Sequence, residues 1–178
     1  FLMLHIKTHI MKKFPQYLLF VIFLGQLPAL LAQTGGAEES PYRQFDFGIG
    51  EWNVYHTTAD TLVGVSKIER IIDGKGILEN YHTAGGFKGK SLNTYNATSH
   101  EWEQYWIDNA GTVLSLKGGL EDGKMVMGNR TAAGKGFSLN RITWTPLANG
   151  HVTQVWEVSQ DEGENWQKVF DGTYKPKS

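Results

Sequence analysis

From Phe45 onward, apolar and polar residues alternate with a period of two. The stretches EWNVYHT (Glu51–Thr57), LNTY (Leu92–Tyr95), EWEQYWID (Glu101–Asp108), RITWT (Arg141–Thr145) and VTQVWEVS (Val152–Ser159) all carry the pattern. An extended chain turns successive side chains to opposite faces, so this alternation predicts strands buried on one side. Turn signals punctuate the strands at Ala59-Asp60, Asp73-Gly74, Gly85-Gly86, Asn96–His100, Asp108–Gly111, Glu121–Gly123, Ala133–Gly136, Asn149-Gly150 and Asp161–Gly163. These nine turns separate ten short strands, each joined to the next by a hairpin-length link. A sandwich would need long crossovers, and a propeller would need a longer chain. The expected fold is all-β: a single antiparallel up-and-down barrel of about ten strands over residues 44–176, closed so that no sheet edge stays open.

The beginning of the chain follows another pattern. Met11-Lys12-Lys13 is basic, Leu18–Leu24 is an unbroken apolar run, and Pro28–Ala32 supplies small residues. That order predicts a signal peptide over 11–32, with residues 1–10 preceding the start and 33–43 a flexible leader. Gly25, Gln26 and Pro28 interrupt the run short of the ~20 apolar residues a membrane span needs. Export to a periplasmic or secreted location is therefore expected, without membrane insertion after cleavage.

Charge and cysteine content narrow the functional classes. The chain has 17 Lys and Arg against 18 Asp and Glu; removing 11–32 and what precedes it takes Lys7, Lys12 and Lys13 and leaves a net charge near −4. A mildly acidic domain gives no electrostatic footprint for nucleic acid. There is no cysteine, which excludes disulfides, thiol catalysis and cysteine-based metal sites, so the barrel stands on packing alone.

Gly50-Glu51-Trp52 opens the first strand immediately after the aromatic segment Phe45–Gly48. Lipocalin barrels begin with the same G-x-W triplet, whose Trp plugs the closed end. The stretch Phe45–Tyr174 also resembles the lipocalin-like DUF1579-type family of secreted bacterial proteins of unknown function. The resemblance is carried by RQFDFGIGEW, GKSLNTY, WEQYWID, RITWTP, VTQVWEVSQDEGENW and FDGTY. It implies a calycin-type barrel and export, and no activity.

Four groups of residues carry candidate chemistry. SQDEGENW (Ser159–Trp166) matches the Asp-box pattern S-x-D-x-G-x-x-W of sialidase propellers. Turn chemistry alone accounts for Ser159, Asp161, Gly163 and Trp166, and the arginines a sialidase would need are scattered, so a structural hairpin is expected. Asn93 and Tyr95, Gln104 and Trp106, Arg141, and Gln154 and Trp156 are expected to line the lumen, as aromatic area with a few amides and one guanidinium. Such a lining suits a small, apolar or aromatic molecule bound without catalysis; the same aromatics equally suit a lumen filled by its own side chains. A lumenal hydrolase or isomerase, with Asp108 or Glu79 as base and Arg141 as anion clamp, is the enzymatic alternative; a purely structural envelope module is another. Arg141 is further expected to stack on Trp52. No pair of histidines has metal-ligand spacing; His82, read as mid-strand, is the candidate for haem iron. No cofactor and no other metal site is expected.

Overall fold

A computed structural model describes residues 40–134 and 136–178. The expected signal peptide and residues 33–39 of the expected leader lie outside the described residues. Ten strands follow in order: β1 (Gly50–His56), β2 (Leu62–Ile71), β3 (Gly76–His82), β4 (Lys88–Asn96), β5 (Glu101–Asp108), β6 (Val113–Glu121), β7 (Lys124–Ala133), β8 (Gly136–Pro146), β9 (Val152–Ser159) and β10 (Gln167–Pro176). Each pairs antiparallel with its sequence neighbours, and β1 closes on β10, with Val54 opposite Tyr174. The barrel is therefore closed and up-and-down, as the alternation predicts, and every edge strand is paired.

The pleat sorts the two faces. Trp52 and Val54, Trp102 and Gln104, Leu114 and Leu116, Met125 and Met127, and Ile142 and Trp144 point inward and are buried. Their neighbours Glu51, Tyr105, Ser115 and Lys124 are exposed. Trp102, Leu116, Met125, Met127 and Val54 form the driest part of the core.

One end of the barrel is sealed. Phe45 enters it edge-on to Trp102 at 5.8 Å between ring centroids and packs on Trp144 at 5.3 Å. The Trp52 indole N–H donates to the Gly48 carbonyl at 3.0 Å, and the Trp102 indole N–H donates to Gln44 Oε1 at 3.1 Å. An indole buried with its N–H satisfied keeps its apolar area without an unmet donor. Asp46, in the 3-10 turn Asp46–Gly48, pairs with Arg70 of β2 and fastens the plug.

The leader expectation needs correction at its C-terminal end. Pro41–Arg43 form a 3-10 turn, and the Tyr42 ring lies edge-on to Tyr95 at 5.5 Å with the Lys75 ammonium 3.8 Å from its centroid. An aromatic side chain with a cation on one side and a ring on the other is docked rather than free.

Candidate functional site

The opposite half of the lumen is open. A cavity of about 210 Å³ is walled by Tyr81, Trp106, Trp144, Trp156, Phe170 and Tyr174, with Leu114 and Ile142 between them and Phe87, Asp108 and Val169 towards the mouth. Deeper, near Trp52 and Phe45, only about 20 Å³ is left unfilled. That is room for one water.

Three strand glycines keep the upper lumen from filling. A Cβ at Gly89 would stand 2.1 Å from Trp106 Cζ2, one at Gly64 2.5 Å from the Tyr81 hydroxyl, and one at Gly172 2.6 Å from Phe170 Cζ. Each ring packs directly against the glycine's bare backbone, a close approach only glycine permits. Rings laid along the wall line a space, whereas rings projecting towards the axis would fill it. A bulge between Lys168 and Phe170 also shifts the register of β10 against β9 and sets Phe170 opposite Trp156.

The polar floor of the cavity is Glu79. The Ser66 hydroxyl donates to its Oε1 at 2.8 Å and the Ser91 hydroxyl to its Oε2 at 3.1 Å. Asn93 Nδ2 donates to Ser91 Oγ at 3.0 Å, and Gln104 Nε2 donates to Asn93 Oδ1 at 2.8 Å. This chain across β2, β3, β4 and β5 holds the carboxyl in one orientation. Glu79 lines both the open cavity and the small void, so the exposure it retains is to the lumen rather than to bulk water. Burial pushes its carboxyl above the usual carboxylate range, and the two serine hydroxyls only partly offset that. Burial likewise raises the Tyr174 hydroxyl, with the Glu79 charge adding to it; that hydroxyl donates to Gln154 Oε1 at 2.5 Å. The Gln154 amide and the Trp144 indole also line the cavity.

The expected site residues divide. Gln104, Trp106, Gln154 and Trp156 line the cavity, as does Glu79. Asn93 lies beneath it and belongs to the network that orients Glu79. Tyr95 is on the inner side but at the sealed end, against Tyr42 and Trp102, away from the cavity.

Arg141 is a correction. It faces outward, its guanidinium bonded to Glu157 Oε2 at 2.9 Å and lying 4.0 Å over the Trp166 ring. Asn140, Ile142 and Trp144 take the inner face of β8 instead, because Ile142 and Trp144 bury far more apolar area than Thr143 and the aliphatic part of Arg141. It therefore neither stacks on Trp52 nor clamps an anion in the lumen. His82 is a second correction: it ends β3, is exposed, and points away from Glu79 and Tyr81, so no haem in the lumen would meet it.

Asp108 sits at the mouth. Burial works to raise its carboxyl, but the Thr112 backbone amide, the Trp106 indole N–H at 3.1 Å and the Ala110 amide outweigh that and hold it below the usual range. A carboxylate so stabilised is a weak base.

The Asp box is the β9–β10 turn. The Ser159 hydroxyl donates to Asp161 Oδ1 at 2.7 Å and accepts from the Gly163 amide at 2.9 Å. Asp161 accepts from the Asn165 amide at 2.9 Å and from Asn165 Nδ2 at 2.7 Å, and the Trp166 indole N–H donates to the Gly163 carbonyl. Gly163 stands at φ +93°, where a side chain would be strained. Every residue of the motif is thus used within the turn. The Asn165 bonds, followed by that from Ser159, depress the Asp161 carboxyl to about 2. A depressed carboxylate stabilises the fold above the usual unfolded range and loses that effect as pH falls through its folded value. Asp161→Ala should lower the melting temperature by a few degrees at neutral pH. The difference should shrink as pH is lowered from ~4 towards 2, as a pH series of melting curves would show.

No protein-family model matches the chain, and no curated protein matches it.

Proposed function

We propose that this barrel is an exported, non-enzymatic carrier or sensor that binds a small, partly apolar molecule in its lumen. The observation that carries the proposal is the cavity of about 210 Å³, aromatic-walled, with Glu79, Gln104 and Gln154 as its few oriented polar groups. Sparse polar groups on an apolar wall are the composition of small-molecule sites. The basic–apolar–small order of residues 11–32 and the resemblance to DUF1579-type secreted proteins support export.

The enzymatic alternative keeps Glu79 as a candidate acid or base but finds no cationic clamp in the lumen among the described residues, since Arg141 faces outward. The envelope-module alternative offers no reason for glycine-seated rings around an unfilled space.

Native mass spectrometry of protein purified from its own host should show a retained small molecule. Leu114, buried on the cavity wall, is the site for a blocking variant: Leu114→Trp should weaken binding by roughly tenfold or more by occupying ligand space. Iodide-accessible lumenal tryptophans that respond to no small molecule in a screen would overturn the proposal.

A further inference from the structure

The charge of the lumen identifies the class of ligand, on the reading that the lumen binds one. Two carboxyl groups line the cavity, Glu79 at its floor and Asp108 at its mouth. Among the described residues, no Lys, Arg or His lines it. The guanidinium expected to line it, that of Arg141, is engaged on the outer surface with Glu157 and Trp166. Between floor and mouth stand the rings of Tyr81, Trp106, Trp156 and Phe170, and the face of an aromatic ring carries the negative end of its quadrupole. An anion here would find no counter-charge among the described residues. The Trp144 and Gln154 N–H groups could serve a neutral hydroxyl or carbonyl on the ligand body, but they would not neutralise a full negative charge. A cation would meet an oriented carboxylate and aromatic rings together, the pairing that recognises ammonium groups elsewhere.

Size narrows the class further. A cavity of ~150 Å³ holds a benzene molecule. The 210 Å³ of this lumen therefore suits one ring with a short chain.

We propose that the lumen receives a small free amine in its protonated form, its ring or branched apolar body against Trp106 and Trp156 and its ammonium group against the Glu79 carboxylate. Ser66 and Ser91 are positioning residues, aiming the carboxylate through their hydroxyls. The ammonium favours the ionised form of the Glu79 carboxyl, so amine binding lowers that group's affinity for a proton. The other ionisable groups lining the cavity with Glu79 are Tyr81, Tyr174 and Asp108. Burial raises both tyrosine hydroxyls and keeps them neutral, while Asp108 is already held ionised. A proton released on binding, at a pH where Glu79 is still protonated, is thus assigned to Glu79.

Three probes of like shape test this: 2-phenylethylamine, 2-phenylethanol and 3-phenylpropanoate, titrated calorimetrically into the folded protein in two buffers of different ionisation heat. The amine should bind roughly tenfold or more tighter than the alcohol, from one charge-assisted contact, and the propanoate should bind more weakly than the alcohol. Over a pH series, proton release should accompany the amine alone and grow as pH is lowered towards the Glu79 titration, and Glu79→Gln should bring the amine to the level of the alcohol and abolish the release. Should that variant not fold, the ranking of the three probes on the unaltered protein decides. An alcohol that equals the amine, or a propanoate that binds best, would overturn the charge assignment and leave lumenal binding standing. No binding of any of the three would overturn the amine proposal as well; lumenal binding itself would then fall only if the ligand screen also failed.

Discussion

Trp102→Ala should cost the barrel about 3–5 kcal/mol, the usual range for removing a buried tryptophan. Trp102 is 1% exposed and sits where three parts of the molecule meet. Its ring receives Phe45 of the plug and Tyr95 of β4, and its N–H donates to Gln44. Truncation removes the apolar area, opens a void under the plug and leaves Gln44 without its donor. Folded domains are stable by only roughly 5–15 kcal/mol, so the loss is a large part of the total. Urea denaturation followed by the remaining tryptophans should show a clearly lower midpoint with an unchanged slope. Trp102→Phe, which keeps a ring but not the donor, should lose visibly less. Equal losses for the two variants would mean that the Gln44 bond, rather than packing, carries the effect.

Gly118→Ala should also destabilise, although strand propensity alone favours Ala over Gly by roughly 0.5–1 kcal/mol. Gly118 faces inward on β6, opposite Trp102 on one side and Met127 on the other. A Cβ there would lie 2.0 Å from the Val126 carbonyl oxygen and 2.9 Å from Met127 Cα. Both obstacles are backbone, so relief requires β7 to move away from β6 rather than a side chain to turn. Overpacking of this kind costs about 1–3 kcal/mol. Thermal melts of Gly118→Ala beside Gly119→Ala provide the contrast, because Gly119 has open space where its Cβ would go. A stabilised Gly118→Ala would show that β6 and β7 are further apart than the structure places them.

Local chemistry determined much of this protein. The period of two, nine turns and the absence of long links were enough for a closed ten-strand meander, because the pleat and the turn conformations depend on residues close in sequence. The Asp box was legible for the same reason, since Ser159, Asp161, Gly163 and Trp166 satisfy one another within a single turn. Alternation likewise placed Gln104, Trp106, Gln154 and Trp156 on the inner face.

Other properties depended on residues far apart in the chain. Both faces of β8 are half polar, so only the fit of Ile142 and Trp144 against the opposite wall turned Arg141 outward. Tyr42 belongs to a stretch without strand pattern, and it is held because the topology brings Tyr95 and Lys75 beside it. The open lumen is the clearest case. An aromatic-rich sequence predicts a filled core as readily as a cavity. What keeps space free is that Gly64, Gly89 and Gly172 lie beneath Tyr81, Trp106 and Phe170. In two of these cases the glycine and its ring belong to different strands, so their meeting is a matter of register across the sheet. The acidic character of the cavity arises likewise, from β3 and the end of β5 facing one space while the nearby cation faces water. Side-chain direction is a local property of the strand; what each side chain meets across the barrel is set by closure.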